Sequence, residues 1–204
     1  MKEICKELRE WKQGSYFLSS AVSEWSVMGQ EIERKFRVKK LPEQLEQYEK
    51  KELEQGYLCV QPVVRIRKSI TKSGEKYILC YKSKLKLEQQ EDRVANTCEE
   101  AEFYLTEEAY VHLREKADGR LIQKTRYLIP LEQGLKIELD VFHGELEGLH
   151  FAEVEFPDEE TAKQFVMPDW FLDDVTFDKR FKNNYIALAE SIDVKELMEG
   201  NKED

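Results

Sequence analysis

The sequence lacks the long apolar run that a membrane-spanning helix requires. No stretch reaches the roughly 18 consecutive apolar residues of a membrane span. Residues 15–27 come nearest to the core of a signal peptide, but Glu24 and several serines interrupt the pattern. We therefore expect a cytoplasmic protein.

Cysteine and histidine are also scarce. The four cysteines form no Cys-x-x-Cys pair and have no histidine close in sequence; they are Cys5, Cys59, Cys80 and Cys98. The three histidines each stand alone: His112, His143 and His150. This pattern disfavours a disulfide framework and a zinc site. We expect reduced, buried thiols and histidines that are structural or exposed.

Basic residues are fewer than acidic ones. The 204 residues include 32 Lys and Arg against 42 Asp and Glu, which gives a net charge of −10. A general nucleic-acid surface or an anionic membrane surface needs a basic footprint, so we expect neither partner. A local basic pocket for a small anion stays open, because net charge averages over the whole surface.

What the sequence does contain is abundant charge, at 36% of residues, together with 41% hydrophobic residues. This composition indicates one globular domain with a full core. We predict that the domain spans residues 28–190, between an N-terminal extension at 1–27 and a C-terminal helical tail at 191–204. In the extension, Ile4, Leu8 and Trp11 mark one helical face. We interpret it as a loosely docked helix or the product of an upstream start codon, without a role in function.

Short strand-like runs dominate the chain after residue 30. Alternating hydrophobicity predicts strands over 31–38, 57–68, 75–84, 98–105, 120–129, 134–142 and 150–156, with a weaker one at 174–177. Helices are predicted over 42–53, 106–117, 158–166 and 183–197, with Gly119 as a helix stop. Many antiparallel strands with inserted helices indicate an α+β fold with a closed sheet.

Seven of the predicted strands carry two like charges at positions i and i+2, which point to the same face. The pairs are Glu31/Glu33, Arg65/Arg67, Lys82/Lys84, Glu100/Glu102, Lys124/Arg126, Glu138/Asp140 and Glu153/Glu155. One such pair alone is typical of a solvated strand face. The strands are, however, segregated into acidic and basic ones, whereas random surface charge mixes both signs. This segregation favours a common function for the charged faces.

If the sheet closes, either its apolar or its charged face lines the lumen. An apolar lumen would suit a hydrophobic ligand, but helices packed over an apolar outer face would leave the charges inside. Buried charge is costly unless it is compensated. A metal–polyphosphate complex compensates both signs, because carboxylates bind the cation while Lys and Arg bind phosphoryl oxygens. All-oxygen ligands favour Mg²⁺ or Mn²⁺ over Zn²⁺.

The segment Glu31-Ile32-Glu33-Arg34-Lys35-Phe36 resembles the ExExK signature of the CYTH superfamily, the triphosphate tunnel metalloenzymes. Further motifs follow in the order of that family: Gln55-Gly56-Tyr57-Leu58, Val64-Arg65-Ile66-Arg67, Lys124-Thr125-Arg126-Tyr127, Glu138-Leu139-Asp140-Val141-Phe142, Ala152-Glu153-Val154-Glu155 and Val175-Thr176-Phe177-Asp178-Lys179-Arg180. The resemblance implies a closed eight-stranded antiparallel β-barrel, the triphosphate tunnel, with helices packed outside and a metal-dependent site within.

The resemblance also implies roles for individual residues. The expected metal ligands are Glu31, Glu33, Glu138, Asp140, Glu153 and Glu155, with Glu100 and Glu102 as further acidic residues. The expected phosphate-binding residues are Lys35, Arg65, Arg67, Lys82, Lys124, Arg126 and Arg180. The residues expected to be catalytic are Lys35, Glu31 and Glu33. Homodimers are common in this family.

Two positions depart from the family pattern. Cys98 stands where the family usually has an arginine, and Asp174 replaces a usual glutamate. We expect the missing cation at Cys98 to weaken phosphate binding or to change which phosphate is held best. The change at Asp174 is expected to be structural.

From these features we expect a metal-dependent triphosphatase with Mg²⁺ or Mn²⁺ as cofactor. The start Met28-Gly29 resembles bacterial members with inorganic triphosphatase activity, and no adenine pocket is evident, so inorganic tripolyphosphate is the expected substrate. The alternatives are a class IV adenylate cyclase, a thiamine or nucleoside triphosphatase, and a non-catalytic sensor of polyphosphate or nucleotides.

Overall fold

The structure is a computed structural model that describes residues 26–84 and 93–199. Within them the chain forms nine strands: β1 (Ser26–Val38), β2 (Glu49–Val60), β3 (Val63–Thr71), β4 (Gly74–Lys84), β5 (Asn96–Leu105), β6 (Asp118–Pro130), β7 (Lys136–Phe142), β8 (His150–Glu155) and β9 (Phe171–Asp174). Four α-helices accompany them: α1 (Glu107–Arg114), α2 (Glu159–Gln164), α3 (Asn183–Leu188) and α4 (Val194–Glu199). Of the predicted extension at 1–27, residues 1–25 lie outside the described part.

Eight of the strands close into an antiparallel barrel. The strands neighbour one another in the order β5-β4-β3-β2-β6-β7-β8-β1, and β1 also pairs with β5. Glu31 lies opposite Cys98 of β5, while Lys35 lies opposite Glu153 of β8. Strand β9 extends the sheet beside the end of β1, where Phe36 lies opposite Asp174. The predicted α+β fold with a closed eight-stranded barrel is confirmed.

The prediction of a helix over residues 42–53 was wrong. One 3-10 turn covers Leu45–Gln47, and the chain then enters β2. Residues 49–54 are mostly Glu and Lys, which suit a helix in isolation. Pairing with β3 on one side and β6 on the other outweighs that preference. The predicted strand over 57–68 is a hairpin, since β2 ends at Val60 and β3 starts after Pro62.

The helix predicted over 183–197 is also divided. Helix α3 ends before Ala189, whose backbone is extended, and α4 follows five residues later. Gly119 does not end α1, which stops at Arg114. It lies instead at the start of β6 with a φ of 68°, and a Cβ there would meet the Ala187 carbonyl oxygen at 2.1 Å. Glycine therefore permits the close approach of α3 to β6.

The apolar core lies between the outer face of the barrel and the helices, as predicted. On one side, Phe36 packs on Phe165 and Phe171 with ring centroids 5.6 and 4.9 Å apart, and Ala162 of α2 joins this cluster. On another side, Phe142 and Phe151 pack with Phe181 and α3. Because apolar side chains fill the outside, the barrel interior is left to the alternate, charged positions.

Three of the cysteines fall within the described residues and are free thiols; Cys80 and Cys98 are buried, as expected, whereas Cys59 is only half-buried. Within the same residues, no helix is long and apolar enough to cross a membrane.

Candidate active site

Strand alternation directs most of the predicted charged side chains into one cavity of about 600 Å³ inside the barrel. Eight acidic side chains line it: Glu31, Glu33, Glu49, Glu100, Glu102, Glu138, Glu153 and Glu155. Eight basic side chains line it as well: Lys35, Lys51, Arg65, Arg67, Lys76, Lys82, Arg126 and Lys182. The cavity wall therefore offers ligands for a cation and for an anion at once.

The carboxylates of β1 and β8 are crowded. Glu33 lies opposite Glu155 in the strand register. Burial, together with the charges of Glu153 and Glu31, raises the pKa of Glu33 to about 7. Burial and the charges of Glu31 and Glu138 likewise raise the pKa of Glu155. Glu138 and Glu153 differ: the charges of Arg126 and Lys35 outweigh burial and lower their pKa values, so the negative charge at Glu33 and Glu155 is the less compensated part of the cluster.

Two lysines border this acidic cluster. Lys82 forms ion pairs with Glu31 and with Glu100, the latter at 3.4 Å. The Lys35 ammonium lies 2.8 Å from the Glu153 carboxylate and donates to the Phe181 carbonyl oxygen at 2.9 Å. Burial opposes the charge of Lys35, but Glu153 and Glu33 outweigh it and raise the pKa of this lysine. Lys35 therefore stays cationic at neutral pH.

The arginines of β3 face the cavity from another wall. Arg65 lies 3.5 Å from Glu100 and 4.0 Å from Glu102. Arg67 forms no ion pair with any of the described residues, and its buried Nε has no hydrogen-bond acceptor among them. Burial and the charges of Arg65 and Arg126 lower its pKa. An anion is the ligand that would relieve this cationic wall.

The Arg126 side chain is held by three carboxylates. Its Nε donates to Asp140 at 2.6 Å and its terminal nitrogens contact Asp140, Glu138 and Glu153. Lys124 pairs with the same Asp140, and the side chains of both are fully buried. Burial lowers the pKa of Lys124 against the opposing charge of Asp140. Arg126 reaches the cavity, whereas Lys124 and Asp140 are not among the residues that line it.

Two other predicted residues occupy distinct positions. Arg180 is not among the lining residues either; it pairs with Asp178 at 2.7 Å, and its side chain is 42% exposed. Asp174 accepts hydrogen bonds from Arg34 at 2.7 and 2.9 Å and from Thr176. It therefore fastens β9 to β1, in agreement with the structural role expected for it.

Cys98 faces the cavity beside the acidic cluster. Its sulfur lies 3.3 Å from a Glu31 oxygen, and burial raises its pKa to about 12. Cys80 lies nearby on the wall, with its sulfur 2.8 Å from Glu100. The ligand atoms of Cys80, Glu100 and Glu102 all lie within 4.8 Å of one another. Both thiols are protonated at neutral pH and add no charge to the cavity.

Several residues that face the cavity were not predicted from the sequence, among them Glu49, Lys182 and the three that follow. Lys51 was hidden by the wrong helix prediction. Lys76 belongs to the same alternating series as Lys82, which is a signal that could have identified it. Tyr57 is only 3% exposed, its hydroxyl accepts a hydrogen bond from Gln55 at 3.1 Å, and burial raises its pKa.

The chain resembles two curated proteins. It is 37% identical to the inorganic triphosphatase of Nitrosomonas europaea over 159 residues, which cover 78% of this chain and 97% of that protein. It is 43% identical to the inorganic triphosphatase of Acetivibrio thermocellus over 67 residues, or 33% of this chain and 41% of that protein.

Comparisons of structure agree with those of sequence. A crystal structure of an inorganic triphosphatase superimposes with a TM-score of 0.56 and 35% sequence identity, covering 79% of this chain and 97% of that chain. No family model matches the sequence.

Proposed function

Because the chain belongs to the inorganic triphosphatases of the CYTH superfamily, we propose that it hydrolyses inorganic tripolyphosphate inside the charged tunnel. One observation carries the proposal. A closed barrel holds both a crowded set of carboxylates and a set of inward-facing Lys and Arg side chains around one cavity. A metal–triphosphate complex matches both sets, since each sign of charge on the wall meets the opposite sign on the ligand.

The carboxylates fit a divalent cation. The raised pKa values of Glu33 and Glu155, which burial and neighbouring carboxylates cause, support a cation site at these two residues. Together with Glu31 and Glu138 they offer only oxygen ligands, which suit Mg²⁺ or Mn²⁺. When bound, the metal would supply charge neutralisation at the phosphoryl oxygens.

The cations would bind and orient the triphosphate. Arg67 is available to an anion without breaking an ion pair to another described residue, whereas Arg65 would exchange its longer contacts with Glu100 and Glu102 for phosphoryl oxygens. Lys35 and Arg126 hold fixed positive charge opposite them, each anchored by Glu153. Such preorganised charges stabilise a phosphoryl-transfer transition state without reorganisation during the reaction.

Lys124 and Asp140 would act through Arg126. Both are on the inward face of their strands but are fully buried and do not line the cavity, and Asp140 contacts Arg126 through both of its oxygens. We propose that this pair orients Arg126 and does not touch the ligand in the conformation described. Arg180, paired with Asp178 and outside the cavity lining, would act on the approach of the substrate.

The test compares substrates and products. The protein is incubated with tripolyphosphate, ATP or thiamine triphosphate, each with Mg²⁺ or Mn²⁺, and phosphate, pyrophosphate and cyclic AMP are measured. We expect phosphate release fastest from tripolyphosphate. Pyrophosphate with cyclic AMP would identify a cyclase, faster hydrolysis of an organic triphosphate would reassign the substrate, and tight binding without turnover would identify a sensor.

Two neighbouring residues provide a matched pair of variants. Arg67→Ala removes a cation that faces the cavity, and we expect kcat/KM for tripolyphosphate to fall about 100-fold. Lys68→Ala removes the next cation along β3, which points outward and pairs with Glu75 at 2.8 Å, and should change activity little. Equal effects of the two variants would contradict binding inside the tunnel.

A further inference from the structure

One part of the barrel's outer face is apolar and exposed. Val64, Tyr81 and Ala101 lie side by side across three strands, and Leu79 lies beside Phe103 in the next row. We call these five residues the β3–β5 apolar face. Tyr81 is 41% exposed and Phe103 is 44% exposed. They point outward because their chain neighbours, such as Lys82 and Glu102, line the cavity.

Two other apolar areas of the barrel's outer face are covered. Phe36 and Phe151 are fully buried beneath the elements that follow β8. Helix α1 packs near the other end of β4, where the rings of Tyr110 and Tyr77 are 5.2 Å apart. The β3–β5 apolar face thus differs from these two areas, and exposed aromatic patches of this kind mark docking surfaces.

The N-terminal segment joins the barrel at the border of this face. Ser26, the first described residue, lies opposite Phe103 of β5, and the backbone of Met28 lies opposite Ala101. Residues 1–25 therefore connect directly beside the two rows of apolar side chains. This segment contains Ile4, Leu8 and Trp11 at a spacing that would place them on one face of a helix.

The length of such a helix also matches the width of the β3–β5 apolar face. A helix formed by ten residues is about 15 Å long, close to the width of the three strands of this face at about 4.8 Å each. The twelve residues 14–25 can span up to about 40 Å, so they do not restrict where such a helix is placed.

We propose that residues 1–25 dock on the β3–β5 apolar face through Ile4, Leu8 and Trp11. A second copy of the chain is the competing occupant. Covalent attachment favours the segment, because a tethered ligand has an effective concentration in the millimolar range, far above that of a separate molecule. The inference does not rest on the proposed enzymatic function, since the face lies on the outside of the barrel.

The test uses limited trypsin digestion of the full chain, with mass spectrometry to follow cleavage after Arg9 and Lys12. The double variant Tyr81→Ser/Phe103→Ser removes the two exposed aromatic rings of the face. We expect it to speed cleavage at these sites at least about fivefold, since proteolysis follows the population of the undocked state. The matched control Val111→Ser/Val166→Ser changes two exposed apolar residues elsewhere and should leave the rate unchanged.

Two results would overturn the proposal. One is equal cleavage rates in all three proteins while circular dichroism shows that each is folded. The other is a native mass of two chains by light scattering that the Tyr81→Ser/Phe103→Ser variant reduces to one without faster cleavage, which would assign the face to a second copy. Neither result depends on whether the protein hydrolyses triphosphates, so the two proposals fail independently.

Discussion

At the scale of single residues, the Glu33 carboxylate lies where its own charge is disfavoured. It is half-buried and lies beside two other carboxylates, and the Asn96 amide donates a hydrogen bond to it at 3.4 Å. In the metal-free protein, ionisation of Glu33 therefore costs free energy. This cost should be measurable as a dependence of the free energy of unfolding on pH.

Between pH 4.5 and about 7 the folded protein should hold a proton on Glu33 that the unfolded chain has lost. The free energy of unfolding of the metal-free protein should therefore fall as pH rises through this window. Glu33→Gln should flatten this slope and stabilise the metal-free protein at pH 8 by about 1–3 kcal/mol. Denaturant unfolding in chelator measures both effects. Glu99→Gln, at an exposed position on the outer side of β5, is the control and should retain the slope.

Cys98 offers a second test at this scale. Cys98→Arg would place a cation beside Glu31, where the thiol now lies 3.3 Å from the carboxylate. We expect KM for tripolyphosphate to fall about threefold to tenfold, because an added charge-assisted contact strengthens anion binding. Steady-state kinetics would measure this, with Cys98→Ser as the neutral control. An unchanged KM would show that the position lies out of reach of the phosphates.

At the scale of secondary-structure elements, β6 and β7 are joined by a buried charge network as well as by their backbone ladder. Arg126 lies directly opposite Asp140 in the strand register, and Lys124, two residues before Arg126, reaches the same carboxylate with its side chain. Each strand alternates an apolar outer side with this charged inner side. The network therefore links the stability of the strand pair to the position of Arg126.

Asp140→Ala should destabilise the protein by about 3–5 kcal/mol, because it leaves Lys124 buried without a counter-ion. Replacing both partners in Lys124→Met/Asp140→Leu removes the charge and its counter-charge together, so this double variant should be more stable than Asp140→Ala. Chemical denaturation measures the free energy of unfolding of both variants. If the double variant were the less stable one, Lys124 and Asp140 would not act as a compensated pair.

Gly119 and Gly134 both have a positive φ, but a Cβ would meet another part of the chain only at Gly119. Comparing their alanine variants separates the free-energy cost of backbone strain from that of a steric clash. Gly134→Ala, at a φ of 76° with open space around it, should cost about 1 kcal/mol. Gly119→Ala adds the clash with the Ala187 carbonyl of α3, so about 2–4 kcal/mol is expected. Thermal unfolding measures both. Equal losses would show that α3 yields to the added methyl group without cost.

At the scale of the whole molecule, the barrel closes eight strands around a wall with balanced charge. Its eight acidic and eight basic lining residues come from nearly every strand. Binding of a divalent cation to the acidic part should therefore stabilise the entire barrel, because the ligands are brought together only in the folded state.

Mg²⁺ at 100 times its dissociation constant should raise the free energy of unfolding by about 2.7 kcal/mol. A thermal-shift titration would record a rise in Tm that a chelator reverses. The double variant Glu31→Gln/Glu33→Gln should lose this response, whereas Glu145→Gln, at an exposed residue after β7, should keep it. A full response in the double variant would place the cation elsewhere.

The sequence by itself determined which side chains share a face of a strand and what charge each strand presents. Both follow from the local two-residue period of a β-strand, so Arg65 and Arg67 could be assigned to one face without knowing the fold. It also located α1, whose Thr106 cap accepts a hydrogen bond from the backbone of Ala109. The same local reasoning failed at β2, where helix-forming residues are held extended by two neighbouring strands.

Only the tertiary structure decided how deeply each charged side chain is buried. Lys124 and Arg126 share a face of β6, yet one is sealed against Asp140 while the other reaches the cavity. Depth depends on how neighbouring strands are staggered and on what packs beyond them, and neither is encoded in the alternation of one strand. The surroundings of Glu33 likewise have two origins: Glu31 lies on the same face of β1, whereas the burial that raises the pKa of Glu33 and the approach of Glu153, 120 residues away in sequence, depend on the pairing of β8 with β1 and on the closed barrel.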